Sequence, residues 1–159
     1  ARSGNSNAIG NATGNTAGST SSLTESTKYL SYRGIEQWFG HLWKWVDGIN
    51  VNNNVPYVTN NSNNLADDTS TNYTDLGVTL HNVDGWQATL EQISRGFLPA
   101  SVGASSSTKI TDYYYQASGW RVVLVGGYSS YDEYAGAFSP RAYVSSGFVY
   151  QTIGGRLVY

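Results

Sequence analysis

His41 and His81 are the chain's two histidines, and neither has a second histidine one helical turn away, the spacing that binds a metal. His41 stands inside a Trp-rich block and His81 in a polar turn, so both read better as satisfied or surface imidazoles. The acids Asp67, Asp68, Asp75 and Asp84 are scattered through turn-like sequence without the spaced ligands and closing glutamate of an EF-hand loop. Solvated turn acids account for them better than a Ca²⁺ loop. Serines abound, but no G-x-S-x-G elbow occurs. The pairs Gly126-Gly127 and Gly154-Gly155 do not open a helix after a strand, so they make neither a dinucleotide fingerprint nor a phosphate loop. There is no cysteine, which excludes thiol nucleophiles, Cys-ligated zinc and disulfides. No catalytic residue, metal ligand or cofactor is therefore assigned. Asn60-Asn61-Ser62 and Asn72-Tyr73-Thr74 match the glycosylation pattern, which occurs often by chance.

The chemistry that remains is recognition. From Gly126 to Tyr159 the chain is dense in Tyr, Ser and Gly: Tyr128, Tyr131, Tyr134, Tyr143, Phe148 and Tyr150 recur among Ser129, Ser130, Asp132, Glu133, Arg141, Ser145 and Ser146. Tyrosine offers a large, stiff, amphipathic contact surface at small entropic cost, and Ser and Gly are adaptable spacers. That mixture is the chemistry of an antibody paratope, and Tyr and Arg are the residues that become interface hot spots. Any one of these tyrosines could equally cap a β-rich core. As a group they point to binding, because the flanking aliphatics are too few for an ordinary strand pattern.

Elements elsewhere must hold this stretch. A chain of 159 residues makes one domain with a real core, and a net charge of −2 gives no field for nucleic acid. No apolar run reaches membrane-spanning length and no signal peptide is visible, so membrane insertion is not expected. Residues 1–27 are a low-complexity Gly/Ser/Asn/Thr segment, expected to be a flexible tether. Residues 28–159 are the domain proper. Lys28 to Val51 carries Trp38, Trp43 and Trp45, and its mixed periodicity predicts a short helix near 33–40 followed by a strand near 42–51. Short strands are expected around Pro56–Thr59 and Leu76–Leu80. Gly85–Ser94 reads as a half-buried strand or short helix, and Arg95–Lys109 as a loop. Trp120–Val125 is the clearest strand, apolar on both faces and ended by Gly126-Gly127. Beyond it, only AGAF (Ala135–Phe138) and IGGRLVY (Ile153–Tyr159) look like regular strand.

Four stretches together carry a family resemblance: GHLWKWVDG (Gly40–Gly48), WRVVLVGG (Trp120–Gly127), AGAF and IGGRLVY. In order and spacing they resemble the signatures of the C-type-lectin-type fold shared by formylglycine-generating enzymes and by the variable proteins of diversity-generating retroelements. The resemblance covers roughly residues 30–159, and Phe97–Gln116 is similar to the segment before the ending in virus-associated members. It implies an α+β, C-type-lectin-like fold, with short antiparallel strands, one or two short helices and much loop. The enzyme branch works through cysteine, which this chain lacks. The retroelement branch randomises adenines near the end of the gene, over about residues 126–159 here.

An Asn codon of the AAY type can then become Tyr, Ser, Asp, Phe, Val, Thr, Arg or Gly. The family's ending is Asn-rich where this chain has Tyr128, Ser130, Tyr131, Tyr134, Arg141, Tyr143, Val144, Phe148, Tyr150 and Thr152. All are reachable from AAY, whereas Glu133 and Gln151 are not. Ser129 stands where the family has a fixed Trp, and Pro140 is a second departure. The resemblance implies a diversified ligand-binding face, displayed on a virion tail or fibre or on a cell surface, with a protein or cell-surface receptor as partner. It leaves open a homo-oligomer or attachment to a larger assembly. The alternative is a non-diversified adhesin or carbohydrate-binding module of lectin-like fold, although the Glu-Pro-Asn and Trp-Asn-Asp triplets of Ca²⁺-dependent lectins are absent.

Overall fold

The computed structural model describes residues 39–94, 96–110, 112–128 and 130–154 (for Asp132 the backbone only), and the backbones of three two-residue strands before them. Those three are β1 (Asn15–Thr16), β2 (Ser31–Tyr32) and β3 (Ile35–Glu36), paired antiparallel in a small sheet. The larger sheet has eight strands. In chain order they are β4 (Lys44–Asn52), β5 (Val55–Val58), β6 (Thr74–Asp75), β7 (Gly85–Ile93), β8 (Gly96–Val102), β9 (Tyr113–Gln116), β10 (Trp120–Val125) and β11 (Pro140–Ala142). In space the order is β6-β5-β4-β10-β11-β9-β7-β8, and only the β9–β11 pair is parallel.

The centre of the sheet follows from one sequence run. Apart from Arg121, WRVVLV in β10 is β-branched or apolar, which suits a strand covered on both faces. Val123 packs with Val51, Leu80, Tyr114 and Ala142 on one side. Val122 and Leu124 point the other way, against Trp43 and Val144, with Tyr128, Tyr131 and Ile153 leaning on them. Each large apolar side chain buried this fully contributes roughly 1.5–3 kcal/mol, so Trp43 and Leu124, at 1% and 0% exposure, are principal supports of the second face. Pro140 opens β11, a strand position that tolerates a missing N–H.

Several expectations need correction. The described residues hold no α-helix, only 3-10 turns at Ser62–Asn64 and Asp132–Tyr134. Of the helix expected near 33–40, Ile35–Glu36 is strand, paired with Ser31–Tyr32, and residues 33–34 and 37–38 lie outside the described set. Leu76–Leu80 is irregular, and the neighbouring strand is Thr74–Asp75, held to Tyr57 and Val58. Much of the expected 95–109 loop is β8, which completes a long hairpin with β7 despite Pro99, a residue an edge strand can carry. AGAF is not strand but the turn before β11. The tether expected over 1–27 lies outside the described residues except for β1, as do residues 155–159 of IGGRLVY. No helix among the described residues is long and apolar enough to cross a membrane.

Candidate ligand-binding face

On β9, alternation sends Tyr114 into the core at 1% exposure and turns Tyr113 and Tyr115 to the opposite face. The chain after β10 folds back over that face. Tyr128, Tyr131 and Tyr134 lie on one turn, closed by the Tyr131 N–H to the Tyr128 carbonyl and the Tyr134 N–H to the Tyr131 carbonyl, both at 3.0 Å. Tyr131 is the hub. Its ring meets Trp43 edge-on at 5.3 Å, Tyr128 at 4.8 Å, Tyr134 at 5.6 Å and Tyr115 at 5.9 Å. Trp86 of β7 stacks on Tyr134 at 5.2 Å and 14°, and meets Tyr113 edge-on at 5.1 Å. Apart from the buried Trp43, these rings are half-buried. They form a continuous aromatic layer, each of these half-buried residues keeping part of its surface exposed.

Polar groups pin this layer to the sheet. Ser139 is fully buried, and its hydroxyl lies 2.7 Å from the Tyr113 carbonyl and 3.1 Å from the Tyr134 carbonyl. Asp112 Oδ1 accepts the Phe138 N–H at 3.1 Å, and the buried Gln87 amide donates to the Phe138 carbonyl at 3.3 Å. The turn comes so close that a Cβ on Gly136 would overlap the Asp112 carboxylate. Gly127, at φ +76°, would likewise press a Cβ into Ala135. From the other end of the domain, the Trp43 N–H donates to the Thr152 carbonyl at 2.8 Å and the Gly154 N–H to the Trp43 carbonyl at 2.9 Å.

Arg141 supplies the charge. On β11 it sits beside Tyr115, and its guanidinium carbon is 5.6 Å from the Trp43 ring centre, 5.5 Å from Tyr115 and 5.0 Å from Tyr143. Such cation–π contacts offset part of the penalty of half-burying a cation. Burial raises the Tyr131 phenol well above its usual range, and its hydrogen bond with Tyr115 acts the same way. Burial also raises Tyr115, which the bond from Tyr131 partly counters. The layer is therefore neutral apart from Arg141 at ordinary pH.

The sequence-assigned positions divide into groups. Tyr128, Tyr131, Tyr134 and Arg141 build the layer, and Tyr143, 49% exposed, extends it through Arg141. Phe148 and Tyr150 form a separate stacked pair, 6.0 Å apart and 40% and 56% exposed, around Val149 at 90%. Ser130 is exposed and Thr152 half-buried. Val144 is a correction. It is 3% exposed, because its carbonyl takes the Val122 N–H and its side chain drops into the Trp43–Leu124 core. Sequence reasoning missed Trp86, Tyr113 and Tyr115 as members of the layer. The i, i+2 spacing of Tyr113 and Tyr115 about an inward Tyr114 was the available signal.

Other chemistry is not assembled. His41 pairs with Tyr128 through the backbone alone, and no group of three metal-ligating side chains occurs among the described residues. Concavities of about 190 Å³, between β4 and the 65–73 loop, and about 320 Å³, beside β8, lie away from the aromatic layer. Ser146 ties the 143–150 loop to Asp68 at 2.6 Å. No family model, curated protein or solved structure matches the chain.

Proposed function

We propose that the chain is a ligand-binding protein with a diversified face, of the C-type-lectin-like kind varied by diversity-generating retroelements, and not an enzyme. One observation carries the reading. Of the ten positions assigned to the variable face, all but Val144 are exposed or half-buried, while the residues that anchor the turns, Ser139, Gln87 and Trp43, are not among the ten and are buried. Exposed substitutions are mostly worth less than about half a kcal/mol, so such a face changes its chemistry while the frame persists. The four motifs support the fold assignment by converging. GHLWKWVDG runs into β4, WRVVLVGG forms β10 beside it, AGAF is the anchored turn, and Ile153 bridges back to Trp43.

The ligand is a protein or cell-surface receptor, met from a virion or cell surface. Display in several copies multiplies a modest single-site affinity. Sequencing the gene across its source population tests this reading. Differences confined to the codons of the exposed positions, with an adenine-rich near-copy of the 3′ end beside a reverse-transcriptase gene, are the expected result. Differences spread evenly along the gene overturn it.

A further inference from the structure

Arg141 is the only lysine or arginine between Gly126 and Gly154, and it stands at the junction of the aromatic layer and the exposed Tyr143. Its guanidinium is oriented by three rings, those of Trp43, Tyr115 and Tyr143. Its Nε is buried without a hydrogen-bond partner, and no carboxylate among the described residues pairs with it. A guanidinium carries five N–H donors in a rigid fork; with Nε buried, the four on the two terminal nitrogens are left for a ligand, and none is spent within the described part of the fold.

We propose that Arg141 is the specificity anchor of the face, receiving a carboxylate from an Asp or Glu side chain of a protein ligand whose neighbouring residues are apolar. This deepens the proposed function and rests on it. A fork held at fixed orientation accepts a planar carboxylate through two parallel hydrogen bonds. One positive charge matches one monoanion. A phosphate dianion would keep excess negative charge beside a stretch that already holds Asp132 and Glu133 in its sequence. The surface beside the guanidinium is made by the rings of Tyr115 and of the exposed Tyr143, which suit the apolar side chains that accompany an acid in a protein ligand. The rings also exclude water around the ion pair, which strengthens it relative to an exposed pair.

The test uses a random-peptide phage library selected on the whole chain. Wild type should enrich peptides with one Asp or Glu among apolar residues. For the strongest of these, Arg141→Gln should weaken binding about 10–100-fold. Arg141→Lys, which keeps the charge and loses the fork, should weaken it by less. Changing the peptide's acid to its amide should weaken wild-type binding as Arg141→Gln does, and combining both changes should add little. Thermal melting checks that the variants fold, and the Lys variant carries the test if Arg141→Gln does not. Enriched peptides that lack an acid, or that ignore both Arg141 variants, overturn this inference and leave the binding face standing. Binding of sialylated glycans on an array, lost in Arg141→Gln, with no acidic peptide enriched, overturns the protein carboxylate in favour of a sugar acid. Equal enrichment on wild type and on the triple variant Tyr143→Ala, Phe148→Ala, Tyr150→Ala overturns the face itself.

Discussion

Ser139 and the Tyr113 carbonyl are 2.7 Å apart, with Ser139 wholly shielded from solvent. This contact joins the turn before β11 to the strand that carries the inner tyrosines. Ser139→Ala removes the hydroxyl and leaves buried carbonyls short of a donor, a loss of about 1–3 kcal/mol. Urea unfolding should show the midpoint falling with an unchanged slope. A midpoint equal to wild type would sink the anchoring role.

Val144 and Tyr150 are both reachable from a randomised Asn codon, yet one is core and the other surface. Changing each to Asn separates them. Val144→Asn buries an amide among Trp43, Val122 and Leu124 and should destabilise by about 2–3 kcal/mol. Tyr150→Asn should change stability by less than about half a kcal/mol. Similar losses in the two variants would contradict the division between frame and face.

Burial raises the pKa of Asp112, and the Phe138 N–H only partly opposes this. The folded chain thus binds this proton more tightly than the unfolded chain does. The stability linked to that proton is full below the unfolded pKa, near 4, and is lost as pH rises through the higher folded value. Asp112→Asn keeps an oxygen for the Phe138 N–H and removes the charge. Its stability at pH 7 should equal or exceed wild type, with wild type gaining on it as pH falls towards about 4. A gap that stays constant across this range would refute the assignment.

Tyr114 is buried, with a hydroxyl that has no hydrogen-bond partner and a pKa pushed far up by burial. Tyr114→Phe should be neutral or stabilising, by up to about 1 kcal/mol. Tyr113, Tyr115 and Tyr131 are also raised. Phenols raised in the fold add stability that is complete below the unfolded value, near 10, and falls as pH climbs past it. Alkaline titration followed by phenolate absorbance should show a tyrosine subset ionising only as the chain unfolds. Smooth titration of all tyrosines near the ordinary value would be the contrary outcome.

Some of this architecture was legible in the residues. Trp120–Val125 was readable because a run apolar on both faces has few alternatives to a central strand, and Val55–Val58 because turn residues bound it. β8 was hidden by Pro99 and the serine-rich sequence after it, which imitate a loop when the pairing with β7 is out of view. AGAF imitated a strand because small and apolar residues also suit a tight approach to Asp112. The tyrosine-rich surface was visible in composition. Its anchors Gln87, Asp112 and Ser139 were not, since a buried polar residue is recognised by its partner, and those partners lie 51 and 26 positions away. Val144 was misplaced because codon accessibility carries no information about burial.

β11 enters the sheet between β10 and β9, although it comes last in sequence among the described strands. A product cut short by a stop codon before Pro140 would leave two interior strands facing a gap, their ladder groups unpaired. Truncation upstream of Pro140 should therefore yield material for proteases rather than a partly working domain. Any change that keeps β11 out of the sheet is thereby filtered by folding itself, before any encounter with a ligand.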